Sequence, residues 1–252
     1  MSFIRKSERV IVILVLGPTG AGKTNFIKLL TGQDIPVWEK LASGTLKSCA
    51  VLEELDDRMF LFIDTPGFGH SDLPNREVES AIYDLLGNFT RWLGGIYGIV
   101  YVDDIRTERQ TSGKRDSFRF LYDLVHNTCP LLTLVTTHWD CIAPKERARC
   151  DAREEELKDL WREKFNMHEG LFLRCEASAS EDDLDYLTER ARLMARITNI
   201  YSAPAVELTP LAMPFSDWSW GQAGMYAVEV IGDASLAILK ATNGVHIILH
   251  LG

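Results

Sequence analysis

The feature that most constrains this chain is a glycine-rich octapeptide, residues 17–24 (GPTGAGKT), which directly follows an apolar run at residues 10–16. Glycine reaches backbone angles that other residues avoid, so successive amides of such a loop can turn toward one set of phosphate oxygens. The helix that the following residues predict adds the positive end of its dipole. A strand, this loop and a helix, in that order, indicate a phosphate-binding loop.

Residues of this loop have separate predicted roles. Lys23 is a candidate catalytic residue that brings positive charge to the β- and γ-phosphates, and the Thr24 hydroxyl is a predicted Mg²⁺ ligand. The alternative, a plain glycine-rich turn, is disfavoured by the β-branched run before the loop and the helical pattern after it. The predicted nucleotide contacts are Gly17, Pro18, Thr19, Gly20, Ala21, Gly22, Lys23, Thr24 and Asn25.

Apolar runs separated by segments of helical period predict the rest of the fold. Buried strands are expected at residues 10–16, 59–63, 96–102, 131–135 and 171–173, with a shorter candidate at residues 50–55. The segments between them carry apolar residues every three or four positions, as on one face of a helix. This alternation predicts an α/β fold of three layers with a mostly parallel central sheet, and ligands bind such sheets at the carboxyl ends of strands.

The composition narrows the class of protein. Hydrophobic residues make up 46% of 252 residues, enough for a large core, and the net charge of -9 disfavours nucleic acid as a partner. Five cysteines without the CxxC spacing of zinc sites favour a reducing cytosol. The basic and apolar N-terminus resembles a secretory signal, but its cleavage would destroy the phosphate loop, so we expect a cytoplasmic protein.

The C-terminal part has a different composition, with few charges and several small residues. Asn243-Gly244 joins apolar runs at residues 236–241 and 245–251, which predicts a β-hairpin. We therefore expect a nucleotide-binding domain at residues 1–200 and a C-terminal extension at residues 201–252. The extension either packs on the domain or makes contacts elsewhere, including with a membrane.

A run of charges at residues 153–159 lies in one of the predicted helices. Glu154 and Lys158 are four residues apart, the spacing at which opposite charges pair on a helix surface. We expect the run to form a solvated helix face.

A second motif, residues 62–67 (FIDTPG), comes at the end of a predicted strand. Asp64 can hold Mg²⁺ there through a water molecule, and Gly67 can turn its amide to the γ-phosphate and move away when that phosphate is lost. Gly67 is therefore assigned to the catalytic set. An ordinary Asp-Thr-Pro-Gly turn is the alternative, and the distance of 40 residues from Thr24 disfavours it.

Residues 43–49 (SGTLKSC), between these motifs, occupy the place of a first switch loop. A hydroxyl there can reach Mg²⁺ with its side chain and the γ-phosphate with its backbone amide. Thr45 is the predicted metal ligand and catalytic residue, and Ser48 is the second choice. A Ser/Thr-rich loop without a ligand is the alternative.

The segment TTHWD, residues 136–140, follows another predicted strand. The Asp140 carboxylate can accept hydrogen bonds from N1–H and the exocyclic amine of guanine, a donor pair that adenine does not present. His138 stands where lysine is common and can pack over the purine, with Thr137 beside it. We expect Trp139 to pack within the protein.

Small residues at 176–180 (EASAS) follow the last predicted strand. Such a loop can present a backbone N–H to guanine O6, and Ser178 and Ala179 are the predicted contacts. Loops of alanine and serine are common, so an ordinary loop is the alternative.

In order and spacing, GPTGAGKT, IDTPGF and TTHWD resemble the septin-like branch of translation-factor-related GTPases, which includes immunity-associated GTPases and chloroplast outer-envelope import receptors. Residues 95–102 and 135–140 look especially like fungal G-domain-containing proteins. The resemblance covers residues 9–200 and implies a Ras-like fold, GTP or GDP with Mg²⁺, and a nucleotide-dependent homodimer. On that resemblance the ligands are held by Gly17, Gly22, Lys23, Thr24, Asp64, Gly67 and Asp140.

Phe68 stands where Ras-like enzymes carry a glutamine that positions water. A phenyl ring neither orients water nor adds positive charge, so we expect slow hydrolysis that a second subunit stimulates. Candidate groups are His70, which we include in the catalytic set, Arg76, Arg106 and Arg109.

We therefore expect a GTP-binding switch and slow Mg²⁺-dependent GTPase that acts on an effector protein. Two alternatives stay open. One is a nucleotide-gated scaffold that works through its C-terminal extension. The other is an ATP-dependent enzyme with the same loop, which Asp140 disfavours.

Overall fold

The computed structural model describes residues 11–33, 49–70, 74–93, 97–107, 112–128, 130–176 and 184–201, and three strands nearer the C-terminus. The strands of the main sheet are β1 (Ile11–Leu16), β2 (Cys49–Leu55), β3 (Arg58–Asp64), β4 (Gly98–Asp104), β5 (Leu131–Thr137) and β6 (Phe172–Arg174). The helices of the same part are α1 (Lys23–Thr31), α2 (Asn75–Leu93), α3 (Ser112–Thr128), α4 (Arg147–Phe165) and α5 (Leu184–Tyr201). Short 3₁₀ turns lie at Trp139–Cys141, Pro144–Glu146 and Glu169–Leu171.

The main sheet has the strand order β2-β3-β1-β4-β5-β6. All neighbouring strands are parallel except β2 and β3, which pair antiparallel across a turn at Asp56 and Asp57. Both turn residues have positive φ, 49° and 58°, as a two-residue hairpin turn requires. The predicted α/β fold with a mostly parallel sheet is confirmed.

The core has two halves, one on each face of the sheet. On one face Ile82 of α2, Leu121 of α3 and Trp161 of α4 are buried, and on the other Ile27 of α1 and Leu193 of α5. All residues of β1 are buried, because this central strand is covered on both sides. The buried strand β1 therefore fixes the position of the phosphate loop that follows it at the edge of the sheet.

Helix α5 ends inside the core. Tyr201 is fully buried, and its hydroxyl donates to the Ile99 carbonyl at 3.2 Å and lies 2.9 Å from the Thr133 hydroxyl. Its ring lies against Gly98, where an added Cβ would come within 2.1 Å of a ring carbon. Residue 201 is predicted to belong to the extension, but these contacts tie it to the domain core.

Three further strands, β7 (Ala227–Val230), β8 (Leu236–Lys240) and β9 (His246–His250), form a separate antiparallel sheet. In the pairing of β8 with β9, Ile238 is opposite Ile248. The remaining residues after 201 lie outside the described residues, so the division of the chain into domain and extension stays a prediction. In the described ranges, no helix is long and apolar enough to cross a membrane.

Helix α4 is not solvated along its whole charged run. Glu155 has a side chain that is 61% exposed, but Glu154 is only 3% exposed. Lys158 lies 3.4 Å from Glu154, as the spacing predicts. The prediction of a solvated face is wrong for Glu154, because its carboxylate is turned inward to Arg174 of β6 and Thr136 of β5.

Candidate nucleotide-binding site

The phosphate loop joins β1 to α1 at the carboxyl end of the central strands. Gly20 and Gly22 have φ of 80° and 85°, a left-handed conformation that glycine adopts without strain. Gly17 lies against β4, where an added Cβ would come within 2.2 Å of the Val102 carbonyl oxygen. The spacing of glycines in the sequence is therefore a requirement of this backbone path.

Lys23 is buried and bends back over the loop. Its ammonium group donates to the carbonyls of Gly17 at 3.1 Å and Pro18 at 2.9 Å. Burial lowers the pKa of Lys23 to about 8, and the nearby Asp64 carboxylate opposes this change. A buried ammonium group whose described hydrogen bonds go to backbone carbonyls suits a phosphate group as a ligand.

Thr24 and Asp64 form the second part of the site. The Thr24 hydroxyl donates to Asp64 Oδ2 at 2.5 Å, and Asp64 Oδ1 is buried with no hydrogen-bond partner in the part of the chain that the structure describes. Burial raises the pKa of Asp64, while the Lys23 ammonium lowers it. A hydroxyl and a carboxylate with an unpaired oxygen are the hard ligands that Mg²⁺ prefers, so these residues fit that ion.

The residues after β3, 65–70, are named the switch segment, and they lie directly on the phosphate loop. The Thr19 amide donates to the Phe68 carbonyl at 2.8 Å. A Cβ added to Gly67 would come within 2.6 Å of Thr19, so no side chain fits between the two segments. Phe68 is buried, and its ring packs on Phe120 of α3 with a centroid distance of 5.5 Å.

The switch segment also contacts α3, backbone against backbone. A Cβ added to Gly113 would come within 2.5 Å of the Gly69 Cα and 2.8 Å of the Phe68 carbonyl oxygen. Asn75 bridges the same two elements, because its Oδ1 accepts from the Gly69 amide at 2.7 Å and its Nδ2 donates to Asp116 at 2.5 Å. The switch segment is thus packed between the phosphate loop and the first turn of α3.

We expect Gly113→Ala to lower the free energy of unfolding by about 1–3 kcal/mol, because the methyl group overpacks this contact. Urea denaturation measures the change. Gly170→Ala is the matched control, since a Cβ at Gly170 meets no described atom within 4 Å; we expect a change below about 0.5 kcal/mol. Equal stability of wild type and Gly113→Ala would contradict the close packing.

The residues at the end of β5, 137–140, are named the base-reading segment, and they lie beside the phosphate loop. The Thr137 hydroxyl donates to the Ala21 carbonyl at 2.8 Å. His138 is left-handed, with φ of 63°, and its Cε1 lies 3.5 Å from the point where a Cβ on Gly22 would stand. Asp140 is exposed in the 3₁₀ turn that follows. Thr137 and His138 therefore lie next to the predicted phosphate contacts, and Asp140 follows them in the exposed turn.

His138 does not reproduce the positive charge of a lysine. Burial lowers its pKa, an effect that the Asp104 carboxylate, 3.5 Å from Nδ1, opposes. Burial would also raise the pKa of Asp104, but hydrogen bonds from Arg106 hold it below its usual range. At neutral pH His138 is therefore an uncharged ring that can pack on a base, and the Arg106 guanidinium is engaged with Asp104.

Two groups of predicted residues remain: positions outside the described residues, and the described residues Asn25, His70 and Arg76. The predicted positions Thr45, Ser48, Arg109, Ser178 and Ala179 lie outside the described residues. Asn25 and Arg76 are exposed and His70 is half-buried. The roles assigned to all of these residues stay predictions.

Sequence reasoning missed the acidic end of β4. Asp103 is buried and pairs with Lys114 of α3 at 2.5 Å. Together with Asp104 and Arg106 they line a pocket of about 420 Å³ beside the phosphate loop. Two aspartates after an apolar run were a visible signal, but their partners come from the loop and helix that follow, which the pattern of β4 does not reveal.

The geometry defines a class of protein: a P-loop nucleotide-binding domain, with a buried lysine, a hydroxyl–carboxylate pair and a base-reading segment at one edge of a parallel sheet. Residues 12–137, half of the chain, match the family described as 50S ribosome-binding GTPase. The chain belongs to this GTPase family. Membership of this family confirms the predicted guanine nucleotide, GTP or GDP, and the pair of Thr24 and Asp64 fits the predicted Mg²⁺.

Two curated relatives match part of the chain. The probable GTP-binding protein EngB of Methanococcus maripaludis is 30% identical over 80 residues, which are 32% of this chain and 33% of that protein. GTPase Era of Neisseria meningitidis is 31% identical over 91 residues, 36% of this chain and 28% of that protein. The matched segments span a third or less of these relatives.

Solved structures share the fold. Toc33 of Arabidopsis thaliana in complex with GDP and Mg²⁺ aligns with a TM-score of 0.55 at 19% identity, over 78% of this chain and 86% of that chain. A second structure concerns the chloroplast translocon components atToc33 and psToc159, whose dimerisation is important for their GTPase activity. It aligns with a TM-score of 0.56 at 18% identity, over 80% and 86% of the two chains. At this identity the likeness shows the fold alone, and the septin-like and fungal resemblance stays a prediction.

Proposed function

We propose that this chain is a guanine-nucleotide-controlled switch and a slow Mg²⁺-dependent GTPase whose hydrolysis rises when two copies associate. The observation that carries the proposal is the closed contact between the switch segment and the phosphate loop, where Gly67 leaves no room for a side chain against Thr19. A terminal phosphate bound by Lys23 and by the Gly67 amide holds the switch segment at the phosphate loop. Loss of that phosphate removes the hold, so the switch segment responds to the state of the nucleotide.

Slow hydrolysis follows from the position of Phe68. Its ring is buried against Phe120, and a hydrocarbon side chain cannot orient a water molecule or offset negative charge. Lys23 binds the phosphates and Thr24 and Asp64 hold Mg²⁺, which when bound neutralises charge on the β- and γ-phosphates. Among the residues that the structure describes, the side chain at position 68 is therefore not a group that positions water.

A second copy of the chain is the proposed source of that group. The dimerisation that is important for activity in atToc33 and psToc159 supports this part of the proposal. Among the described candidates, Arg106 lines the pocket beside the phosphate loop, and its side chain is 45% exposed. It would have to leave Asp104 to act across an interface.

GTP turnover per mole of protein tests the dimer directly. We expect it to rise about tenfold as the protein concentration crosses the dimer dissociation constant, because each added catalytic group is worth at least that factor. Light scattering with GDP and with a non-hydrolysable GTP analogue locates the dimer on the same concentration scale. Arg119→Ala changes an exposed arginine of α3 that does not line the pocket, so it is the control for a substitution of Arg106. GTP turnover per mole of protein that stays constant across the dimer transition contradicts the proposal.

Location and partners extend the same proposal. The net charge of -9 and the scattered cysteines support a cytosolic protein that acts on an effector protein rather than on nucleic acid. The scaffold alternative would show nucleotide-dependent binding to a partner that does not change when hydrolysis is blocked.

A further inference from the structure

Trp139 is the buried anchor of the base-reading segment. Its indole N–H donates to the Thr136 hydroxyl at 2.9 Å. The guanidinium carbons of Arg174 and Arg147 lie 3.8 and 4.8 Å from the centroid of its ring, within the range of cation–π attraction. Trp139 stands between the two side chains expected to meet the base, so the position of the indole determines where both of them lie.

Glu154 of α4 connects the groups that hold this indole. Its Oε1 accepts from the Thr136 hydroxyl at 2.7 Å, and its Oε2 accepts from Arg174 Nε at 3.1 Å and from a second nitrogen of the same guanidinium. The Thr136 hydroxyl has a single proton, which goes to the carboxylate. A lone pair of its oxygen is therefore left to accept the Trp139 N–H.

The charge of Glu154 is maintained although the residue is 3% exposed. Burial would raise its pKa, but hydrogen bonds from Arg174 and Thr136 hold the pKa below its usual range. Lys158 adds a third positive or donor group at 3.4 Å. Glu154 is thus ionised at neutral pH, and it attracts Arg174 toward the face of Trp139.

A carboxylate is rarely buried as Glu154 is between α4 and β5. Taking a charge out of water is unfavourable, and apolar side chains of similar volume often give equal stability. A fully paired polar network instead fixes one orientation for each of its members. The base-reading segment gains a defined shape from Glu154, which an apolar contact between α4 and β5 would not specify.

We propose that Glu154 is a positioning residue for recognition of a 2-amino-6-oxopurine base: it orients Thr136 and Arg174, which fix Trp139 and hold Asp140 ready before the nucleotide binds. The inference rests on the proposed guanine-nucleotide function. The phosphate contact is carried by a different residue, Lys23 at the start of α1.

Glu154→Gln in the full chain tests this role, because it keeps the size of the side chain and removes the buried charge that faces Arg174. The more exposed carboxylates of Asp151 and Glu176, which also pair with Arg174, stay in place. Affinities are measured for GDP and for IDP, which lacks the exocyclic amine that Asp140 accepts. We expect GDP affinity to fall about tenfold and IDP affinity about threefold or less. The loss is larger for GDP because a misplaced Asp140 loses its hydrogen bond from the exocyclic amine, which IDP does not have. Asp140→Ala is the reference variant, in which GDP and IDP bind alike.

Two further variants keep the result interpretable. Glu155→Gln makes the same change one residue along on an exposed side chain and leaves both affinities unchanged. Thr136→Val removes only the hydroxyl between Glu154 and Trp139 and reproduces the selective loss of GDP affinity, even where Glu154→Gln does not fold.

The outcomes separate this inference from the proposed function. A wild type that binds GDP no better than IDP or ADP overturns the guanine function itself. A wild type that prefers GDP, with the preference intact in Glu154→Gln and Thr136→Val, overturns only the role of Glu154. Equal loss of GDP and IDP affinity also overturns it, because that result marks a purely structural residue.

Discussion

Replacing Lys23 with alanine is expected to lower the affinity for GTP about 100- to 1,000-fold, or about 3–4 kcal/mol. The ammonium already lies buried over the phosphate loop, where its described hydrogen bonds go to the carbonyls of Gly17 and Pro18. A bound triphosphate offers the Lys23 ammonium full negative charge instead. Without Lys23, the loop meets that charge with its backbone amides alone. Fluorescence titration with a labelled GTP measures the loss.

Lys28→Ala is the matched control for that variant. Lys28 is a lysine of the same helix, one turn nearer its C-terminal end, and we expect its replacement to change GTP affinity less than about twofold. Urea unfolding of both nucleotide-free variants checks that the fold is kept. GTP affinity within tenfold of wild type in Lys23→Ala would show that this lysine does not carry the phosphate contact.

Replacing Tyr201 with alanine is expected to lower the free energy of unfolding by about 3–5 kcal/mol. The ring is fully buried at the end of α5 against Gly98, and its hydroxyl lies within hydrogen-bonding distance of Ile99 and Thr133. Removal leaves a cavity that the glycine opposite cannot fill and leaves two polar groups without their partner. Urea denaturation followed by circular dichroism measures the change.

Tyr122→Ala is the control for this second variant. The residue is a tyrosine on α3 that is 39% exposed, and we expect its replacement to cost about 1 kcal/mol or less. Similar losses for the two tyrosines would contradict the assignment of residue 201 to the core. A large loss only for Tyr201 would mean that a fragment ending at residue 200 lacks part of its own core.

The fold could be predicted from the sequence because strands and helices are specified by patterns within short segments of the chain. Strands covered on both faces, such as β1, are apolar throughout, and the helices between them repeat apolar residues at helical spacing. The antiparallel β2 was the weakest candidate, since it is an edge strand with Glu53 and Glu54 among its apolar residues. Its turn at Asp56 and Asp57 lacks the glycine that usually signals a hairpin.

Some residues of the candidate site could be predicted from the sequence, and others could not. The phosphate loop is one contiguous motif, and Thr24 and Asp64 could be paired from the sequence because both follow strands that end at the same edge of the sheet. Glu154 and Gly113 could not be anticipated, because each acts through a partner on another element. Only the crossing of α4 over β5 and β6, or of α3 over the switch segment, shows what these residues contact.

The contact of Gly69 with Gly113 has a mechanical consequence. Two backbones meet there without a side chain between them that could rotate and absorb a displacement. Backbone atoms in a hydrogen-bonded helix are much stiffer than side chains, so a movement of the switch segment reaches the first turn of α3 with little loss of amplitude. A partner that binds the outer surface of α3 would therefore sense which nucleotide is bound without touching the nucleotide.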